Sequence, residues 1–196
     1  MISGIVLAAG FSRRMGRPKL LLDWGGQPVI RRAVEQVRAG GVDELIVVLG
    51  HEGAVIREAL SGLPVHFAQN PDPEAGQGSS IACGISALKP DTEAALIVLG
   101  DQPTLPPEVI PRLLETFRET GKAIVAPVYR GVQGNPILFA SPVFPELRTL
   151  SGDLGARTVV ETDPGRVAVI PFDLPMPADL DTPEDYERLR PPGDRV

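Results

Sequence analysis

The stretch Ile5-Val6-Leu7-Ala8-Ala9-Gly10 decides the fold. An uninterrupted apolar run that ends in glycine is typical of a strand covered on both faces, and such strands belong to mostly parallel sheets. The runs Glu44–Leu49 and Ala94–Leu99 have the same character, and each is also followed by glycine. Weaker strand patterns occur at residues 65–68, 123–128, 136–139 and 167–171.

Helical patterns separate these runs. Apolar residues recur on one face over residues 27–39 and 107–120, where Pro107 suits a first turn and Pro111 favours a later start. Shorter helical patterns occur at 55–60, 79–88, 154–162 and 183–189, the last with Thr182 as N-cap. The alternation predicts an α/β fold with one domain at 1–190, a mostly parallel Rossmann-like sheet with helices on both faces, and a short C-terminal tail at 191–196.

The bulk properties narrow the function classes. The chain has 196 residues, one cysteine and a formal net charge of −6. An acidic surface disfavours nucleic-acid binding, although a local basic pocket can still hold one nucleotide. A single thiol excludes an internal disulfide and fits a reducing compartment. With no signal-peptide pattern and no apolar run of about 20 residues, we expect a cytoplasmic protein that does not bind a membrane.

The loop after the first strand carries positive charge. Ligands of such folds bind beyond the carboxyl ends of the strands, so the loops after Ala9, Gly50, Ala68 and Leu99 are expected to meet at one site. Small residues in the first loop let backbone N–H groups approach phosphates, and Arg14 and Lys19 add cations. The P-loop and GxGxxG patterns are both missing. The loop therefore predicts a phosphate site, and a solvated surface loop is the alternative.

Three other segments carry candidate side chains. Asp101, in GDQP at 100–103, follows a buried strand and suits Mg²⁺, with a turn or N-cap role as the alternative. The stretch from Asn70 to Ser80 is rich in glycine and serine before a helix, which favours either an anion site or a flexible turn with Ser79 as N-cap. Asp181, in LDTPED at 180–185, is a candidate second metal carboxylate.

Taken together and in this order, the motifs resemble those of the MobA-like nucleotidyltransferases, and among them the molybdenum cofactor cytidylyltransferase (MocA-like) family. The pattern LAAGxSxRMGxxK matches residues 7–19, and GDQP, GDLGAR at 152–157 and LDTPED also match. The resemblance spans residues 5 to about 189 and implies the nucleotide-diphospho-sugar transferase type of fold. It implies transfer of CMP from CTP to Mo-molybdopterin with release of pyrophosphate, and delivery of the product to a recipient molybdoenzyme.

The resemblance also implies roles for individual residues. Arg14, Lys19 and Asp101 are the catalytic candidates, and Asp101 and Asp181 are the candidate ligands of Mg²⁺. The nucleotide is assigned to Leu7, Ala8, Ala9, Gly10, Ser12, Asn70, Gly76, Gly78 and Ser79. The alanines before Gly10 resemble the cytidine type of loop, because guanylyl-transferring relatives tend to have a glycine there.

Asn135 and Asp153 are assigned to the acceptor. Gly134-Asn135-Pro136 stands where relatives commonly have Gly-His-Pro, and an asparagine cannot titrate near pH 7. A helix-capping turn is the alternative for the segment around Asp153. His51 is interpreted as a loop residue and Cys83 as a small buried hydrophobe.

Two other functions stay open at this point. One is a related nucleotidyltransferase that uses another phosphorylated acceptor, or GTP, with the same loop and Asp101. The other is a non-catalytic protein that binds the cofactor and delivers it.

Overall fold

The computed structural model describes residues 1–153 and 155–191. Its strands are β1 (Ile2–Ala8), β2 (Glu44–Leu49), β3 (His66–Gln69), β4 (Ala94–Leu99), β5 (Ile124–Tyr129), β6 (Val132–Gln133), β7 (Ile137–Ala140) and β8 (Val167–Phe172). Its α-helices are α1 (Val29–Ala39), α2 (Gly53–Ala59), α3 (Gln77–Ser86), α4 (Val109–Thr120), α5 (Phe144–Arg148), α6 (Arg157–Thr162) and α7 (Pro183–Leu189). None of the helices in the described ranges is long and apolar enough to cross a membrane.

The strands form a sheet with the order β3-β2-β1-β4-β7-β5-β6, and β8 pairs with β5. Strand β1 is parallel to β2 and β4, β2 is parallel to β3, and β5 is parallel to β8. Strand β7 lies antiparallel between β4 and β5. The reversal follows from a tight turn at Arg130 and Gly131, both at positive φ, which pairs β6 with β5 and sends the chain back along the sheet.

Helices cover both faces of this sheet. Val6 of β1 points into a core with α1, α2, α4 and α7, whereas the adjacent Ile5 points into a second core with α3, α5 and α6. The uniformly apolar strands result from this arrangement, because successive side chains enter opposite cores. The predicted α/β class and the mostly parallel sheet are confirmed.

Proline and glycine account for most of the shifts in helix boundaries. Helix α1 begins after Pro28, and α4 begins at Val109, so that Pro111 falls in its first turn, where the missing N–H is tolerated. Helix α3 begins at Gln77 rather than at residue 79, so the interpretation of Ser79 as an N-cap is wrong.

Other boundaries agree more closely, and some elements were not predicted. Thr182 caps α7 in a capping box with Asp185, as predicted for the cap. The predicted helix at 154–162 is observed as α6, but Leu154 lies outside the described residues, as do residues 192–196 of the predicted tail. Strand β6 and helix α5 were not predicted from the sequence.

Candidate active site

A cavity opens at the carboxyl ends of β1 and β4. It consists of two adjoining hollows of about 380 and 370 Å³, and we call the pair the central cavity. Its walls come from the first loop, from residues 73–80 and from the segment between β8 and α7. The candidates among its lining residues are Leu7, Ala9, Gly10, Ser12, Arg14, Lys19, Gly76, Asp101, Asp153 and Asp181.

Lys19 is the centre of the charge cluster in this cavity. Its Nζ lies 2.5 Å from Asp101 Oδ2 and 3.1 Å from Asp181 Oδ1. Arg14 reaches Asp181 Oδ2 from the solvent side at 2.8 Å. The lysine side chain is only 13% exposed, whereas that of Arg14 is 71% exposed. The cluster therefore contains one sheltered cation that contacts both carboxylates and one solvent-exposed cation that contacts Asp181.

The electrostatics of the cluster keep the lysine charged. Burial alone would lower the pKa of Lys19, but the charge of Asp101 and the hydrogen bonds with Asp101 and Asp181 outweigh burial and raise it. Asp179, whose side chain stays partly in water, has a raised pKa because protein atoms desolvate its carboxyl and because Asp101 and Asp181 are negative. Carboxylates outnumber cationic side chains in the lining of the central cavity, which favours binding of a further cation there.

The first loop is built to place Lys19. Ser12 adopts a φ of 53°, its carbonyl accepts from the N–H groups of Met15 and Gly16, and its Oγ accepts from Lys19 N at 3.1 Å. Met15 is buried and anchors the loop to the core. The side chain of Ser12 is therefore used to shape the loop that presents Arg14 and Lys19.

The second loop uses its polar side chains in the same way. Asn70 is 3% exposed, and its amide donates to the hydroxyls of Ser79 and Ser80 at 2.9 and 3.0 Å. Ser79 Oγ in turn donates toward the carbonyls of Gly76 and Asp72. Among these, Gly76 and Ser80 line the central cavity, whereas Asn70 and Ser79 do not.

Glycines join this loop to the segment that carries Asp153. Gly78 N donates to Gly152 O at 2.9 Å, and a Cβ at Gly78 would lie 2.6 Å from Ser151 N. A Cβ at Gly76, which has a φ of +85°, would lie 2.4 Å from the Gly152 carbonyl. Only glycine permits this approach, which brings Asp153 to the wall of the central cavity.

Asn135 lies in a second cavity of about 340 Å³, which we call the side cavity. Gln102, Gln133, Arg157 and Asp179 are among its other lining residues. Asp179 also lines the central cavity, so the two cavities share a wall at this carboxylate. Asp153, which was assigned with Asn135 to the acceptor, lines the central cavity instead.

The carboxylates of Asp101 and Asp181 fit a hard divalent cation. Mg²⁺ is usually held by one or two carboxylates, with phosphate oxygens and water completing the shell. Within residues 1–153 and 155–191, no group of three or more His, Cys, Asp or Glu side chains is arranged to hold a metal alone. A cation at this place would therefore need oxygens from a bound nucleotide.

The comparison with protein families decides the identity. Residues 4–179 match the model of the MobA-like NTP transferase domain. This chain belongs to the MobA-like family. It is thus a nucleotidyltransferase in family and fold, and the resemblance inferred from the four motifs is confirmed at this level.

Full-length relatives support the membership. The chain is 32% identical over 198 residues to the nicotine blue oxidoreductase of Paenarthrobacter nicotinovorans, with 96% of each covered. It is 32% identical over 199 residues to the purine catabolism protein PucB of Bacillus subtilis, with 95% of each covered. The crystal structure of Rv0371c from Mycobacterium tuberculosis superposes with a TM-score of 0.88 at 32% identity, covering 96% of each chain. The crystal structure of its complex with manganese superposes with a TM-score of 0.84 at 30% identity, covering 96% of this chain and 97% of the Rv0371c chain.

The motifs did not identify every residue of this MobA-like site. Asp179 was not predicted as a site residue, although Asp179 and Asp181 flank the buried Leu180 and are spaced to lie on one side of an extended segment. Phe11 lines the central cavity, with its ring 4.8 Å from that of His51 and under the Arg13 guanidinium at 4.9 Å. No residue pattern in the sequence signals that arrangement, because His51 follows a different strand.

Proposed function

We propose that this protein transfers CMP from CTP to Mo-molybdopterin and releases pyrophosphate. The observation that carries the proposal is the cluster of Lys19, Asp101 and Asp181 at the strand ends, beside the loop that carries the family signature. A triphosphate needs cations, and a metal that bridges its phosphates needs carboxylates. The cluster supplies both within one cavity.

Residues of the first and second loops are assigned to different parts of the nucleotide. We assign the base and ribose to the backbone of residues 7–10, of which Leu7, Ala9 and Gly10 line the central cavity, and to the adjoining wall at Gly76. Gly78 and Ser79 support that wall, because Gly78 N donates to Gly152 O and Ser79 Oγ donates to the Gly76 carbonyl. Ser12 and Asn70 support the nucleotide indirectly, since their side chains hold the two loops in shape. The alanine pair before Gly10 favours cytidine over guanosine, as the resemblance implies.

The transfer is an in-line displacement at the α-phosphorus of CTP. A terminal phosphate oxygen of the acceptor forms the new P–O bond, and the bond from the α-phosphorus to pyrophosphate breaks. Lys19 and Arg14 stabilise the charge that grows on the leaving pyrophosphate. Asp101 and Asp181 would hold Mg²⁺, which polarises the phosphoryl oxygens when bound. The manganese complex of Rv0371c supports a divalent metal in this family.

We assign the acceptor to the side cavity. Asn135 lies there beside Gln133 and Arg157, and these side chains offer donors and acceptors to a polar heterocycle and its phosphate. Asp153 lines the central cavity, so we place it where the nucleotide and the acceptor meet. The product, a labile cofactor, passes in the cytosol to a recipient molybdoenzyme.

The deciding experiment is an assay of pyrophosphate release across the four common nucleoside triphosphates. Purified protein, Mg²⁺ and Mo-molybdopterin should release pyrophosphate with CTP, and only when the cofactor is present. Fast release with GTP and none with CTP would refute the base specificity. Release with CTP only when another phosphorylated acceptor replaces the cofactor would refute the acceptor.

One relative bears the name of an oxidoreductase, so a second measurement is needed. The same preparation is followed for the oxidation of reduced nicotinamide cofactors. Oxidation without any release of pyrophosphate would contradict the proposed transfer.

A further inference from the structure

The segment that brings Asp179 and Asp181 to the site has no regular secondary structure. It lies between β8 and α7 and contacts the end of β4. The two parts are far apart in sequence, since Gln102 and Asp179, which are hydrogen-bonded, are separated by 77 residues. Its position relative to Asp101 must therefore be set by tertiary contacts. We call residues 177–181 the carboxylate segment.

Hydrogen bonds with the consecutive residues Asp101 and Gln102 hold the carboxylate segment at the end of β4. Leu180 N donates to the Asp101 carbonyl at 3.1 Å, and Leu180 itself is fully buried. Gln102 Nε2 donates to Asp179 Oδ1 at 2.7 Å and to Pro177 O at 3.3 Å. The side-chain amide of Gln102 thus binds the segment at two residues on the N-terminal side of Leu180.

Gln102 is itself held in place. It is 6% exposed, although it lies in the loop that follows the catalytic Asp101. Its Nε2 carries two hydrogens, and both have acceptors in the carboxylate segment. It is part of the GDQP motif, in which only Asp101 has a role so far.

We infer that Gln102 is a positioning residue that fixes the distance between Asp181 and Asp101. Without its amide, Asp179 loses its donor, and repulsion among Asp101, Asp179 and Asp181 favours outward movement of the segment. The inference rests on the proposed function only in taking Asp101 and Asp181 as the carboxylates for the cation. It concerns their geometry and does not depend on the acceptor.

The chain offers a matched control in Gln36. From α1, Gln36 Nε2 donates to the carbonyls of Pro103 and Leu105 at 3.1 and 3.0 Å. Gln36 therefore makes two amide hydrogen bonds to the loop in which Gln102 lies, whereas the two amide hydrogen bonds of Gln102 go to the carboxylate segment. Among the described residues, Gln36 has no hydrogen bond to the carboxylate segment.

The test compares Gln102→Met with Gln36→Met, since methionine keeps the length of glutamine and removes its hydrogen bonds. Binding of Mn²⁺ is followed by the EPR signal of the free ion, with protein alone and with CTP or GTP, and melting temperatures are recorded alongside. We expect Gln102→Met to raise the half-saturating Mn²⁺ concentration roughly three- to tenfold, the equivalent of one or two lost hydrogen bonds. Gln36→Met should change it less than about twofold.

Two further variants keep the result interpretable. Gln102→Asn retains the amide but shortens it by one methylene, and it replaces Gln102→Met if that variant does not fold. The double variant Gln102→Glu with Asp179→Asn reverses the donor and the acceptor of the shorter hydrogen bond, that to residue 179, at unchanged net charge, and it gives up the longer one to Pro177 O. It should bind Mn²⁺ within about threefold of the wild-type protein.

Wild-type Mn²⁺ binding by Gln102→Met, or by Gln102→Asn where it replaces that variant, would overturn the inference. So would an equal loss in Gln36→Met, because the effect would then belong to the loop as a whole. These measurements need no acceptor and no turnover. Failure of the pyrophosphate assay would therefore leave the positioning role standing, and failure here would leave the proposed transfer standing.

Discussion

Replacing Lys19 by methionine removes the one sheltered cation of the cluster while keeping most of its apolar stem. Asp101 loses its lysine partner at 2.5 Å, and Asp181 loses one at 3.1 Å but keeps Arg14 at 2.8 Å. Exposed ion pairs contribute at most about 1 kcal/mol and breaking a fully buried pair costs about 3–5 kcal/mol. Lys19 and Asp101 are 13% and 19% exposed, so the pair lies between these limits. We expect the free energy of unfolding to fall by about 1–3 kcal/mol.

The loss of activity should be much larger than the loss of stability. Lys19 is placed to meet charge that develops on the leaving pyrophosphate, and removing one such stabilising group lowers kcat about 10²- to 10³-fold. Arg14 cannot compensate, because it is solvated and reaches only Asp181. The assay is pyrophosphate release at saturating CTP, with urea unfolding measured on the same preparations.

Lys89→Met is the matched control. Lys89 Nζ also lies 2.5 Å from a carboxylate, that of the buried Glu44, but the lysine side chain itself is 56% exposed and neither residue lines the central cavity. Its replacement should leave kcat unchanged. If Lys19→Met kept kcat within threefold of the wild type, or if Lys89→Met lowered kcat equally, the catalytic role of Lys19 would be refuted.

The pH dependence gives a separate check on Lys19. Its pKa is raised in the folded protein, so its stabilising effect is complete below the unfolded value of about 10.4. That stabilising effect is lost as the pH rises through the pKa of Lys19 in the folded protein. The difference in unfolding free energy between wild type and Lys19→Met should therefore stay constant from about pH 7 to 9 and shrink above about pH 10.4.

Three other substitutions test separate parts of the site. Asp101→Asn should lower kcat about 100-fold and raise the Mg²⁺ concentration for half-maximal rate, and an unchanged Mg²⁺ titration would contradict its role as a ligand. Asn135→Ala should raise KM for the acceptor about three- to tenfold without changing KM for CTP, and a change in KM for CTP alone would reverse the assignment of the cavities. Gly78→Ala, whose Cβ would lie 2.6 Å from Ser151 N, should lower the free energy of unfolding by about 1–3 kcal/mol in urea, and wild-type stability would show that the contact relaxes freely.

The sequence predicted the fold class because β1, β2 and β4 are continuous apolar runs that end in glycine. It did not predict the direction of β7. Ile137-Leu138-Phe139-Ala140 is buried at every position, so its pattern is the same whichever way the strand runs. Its direction depends on the turn at Arg130 and Gly131, where positive φ closes a hairpin of only two paired positions.

The strand-end rule was enough to bring Lys19 and Asp101 together. Both follow buried strands that are parallel neighbours, so their loops must emerge at the same edge of the sheet. Asp181 required the family motif, because it precedes α7 and follows no strand directly. The division between a central and a side cavity could not be predicted, since it depends on where the carboxylate segment crosses the end of β4.

Residue type was least informative for the polar residues of the loops. The family resemblance assigned Ser12, Asn70 and Ser79 to the nucleotide. In the structure their side chains satisfy backbone groups and one another, with Asn70 Nδ2 donating to two hydroxyls at once. A loop that folds over a cavity buries backbone polar groups, and short polar side chains are the ones that can pair with them. The same residues therefore occur in a loop that binds a ligand and in a loop that only surrounds one, and charged side chains such as Lys19 distinguish the two cases.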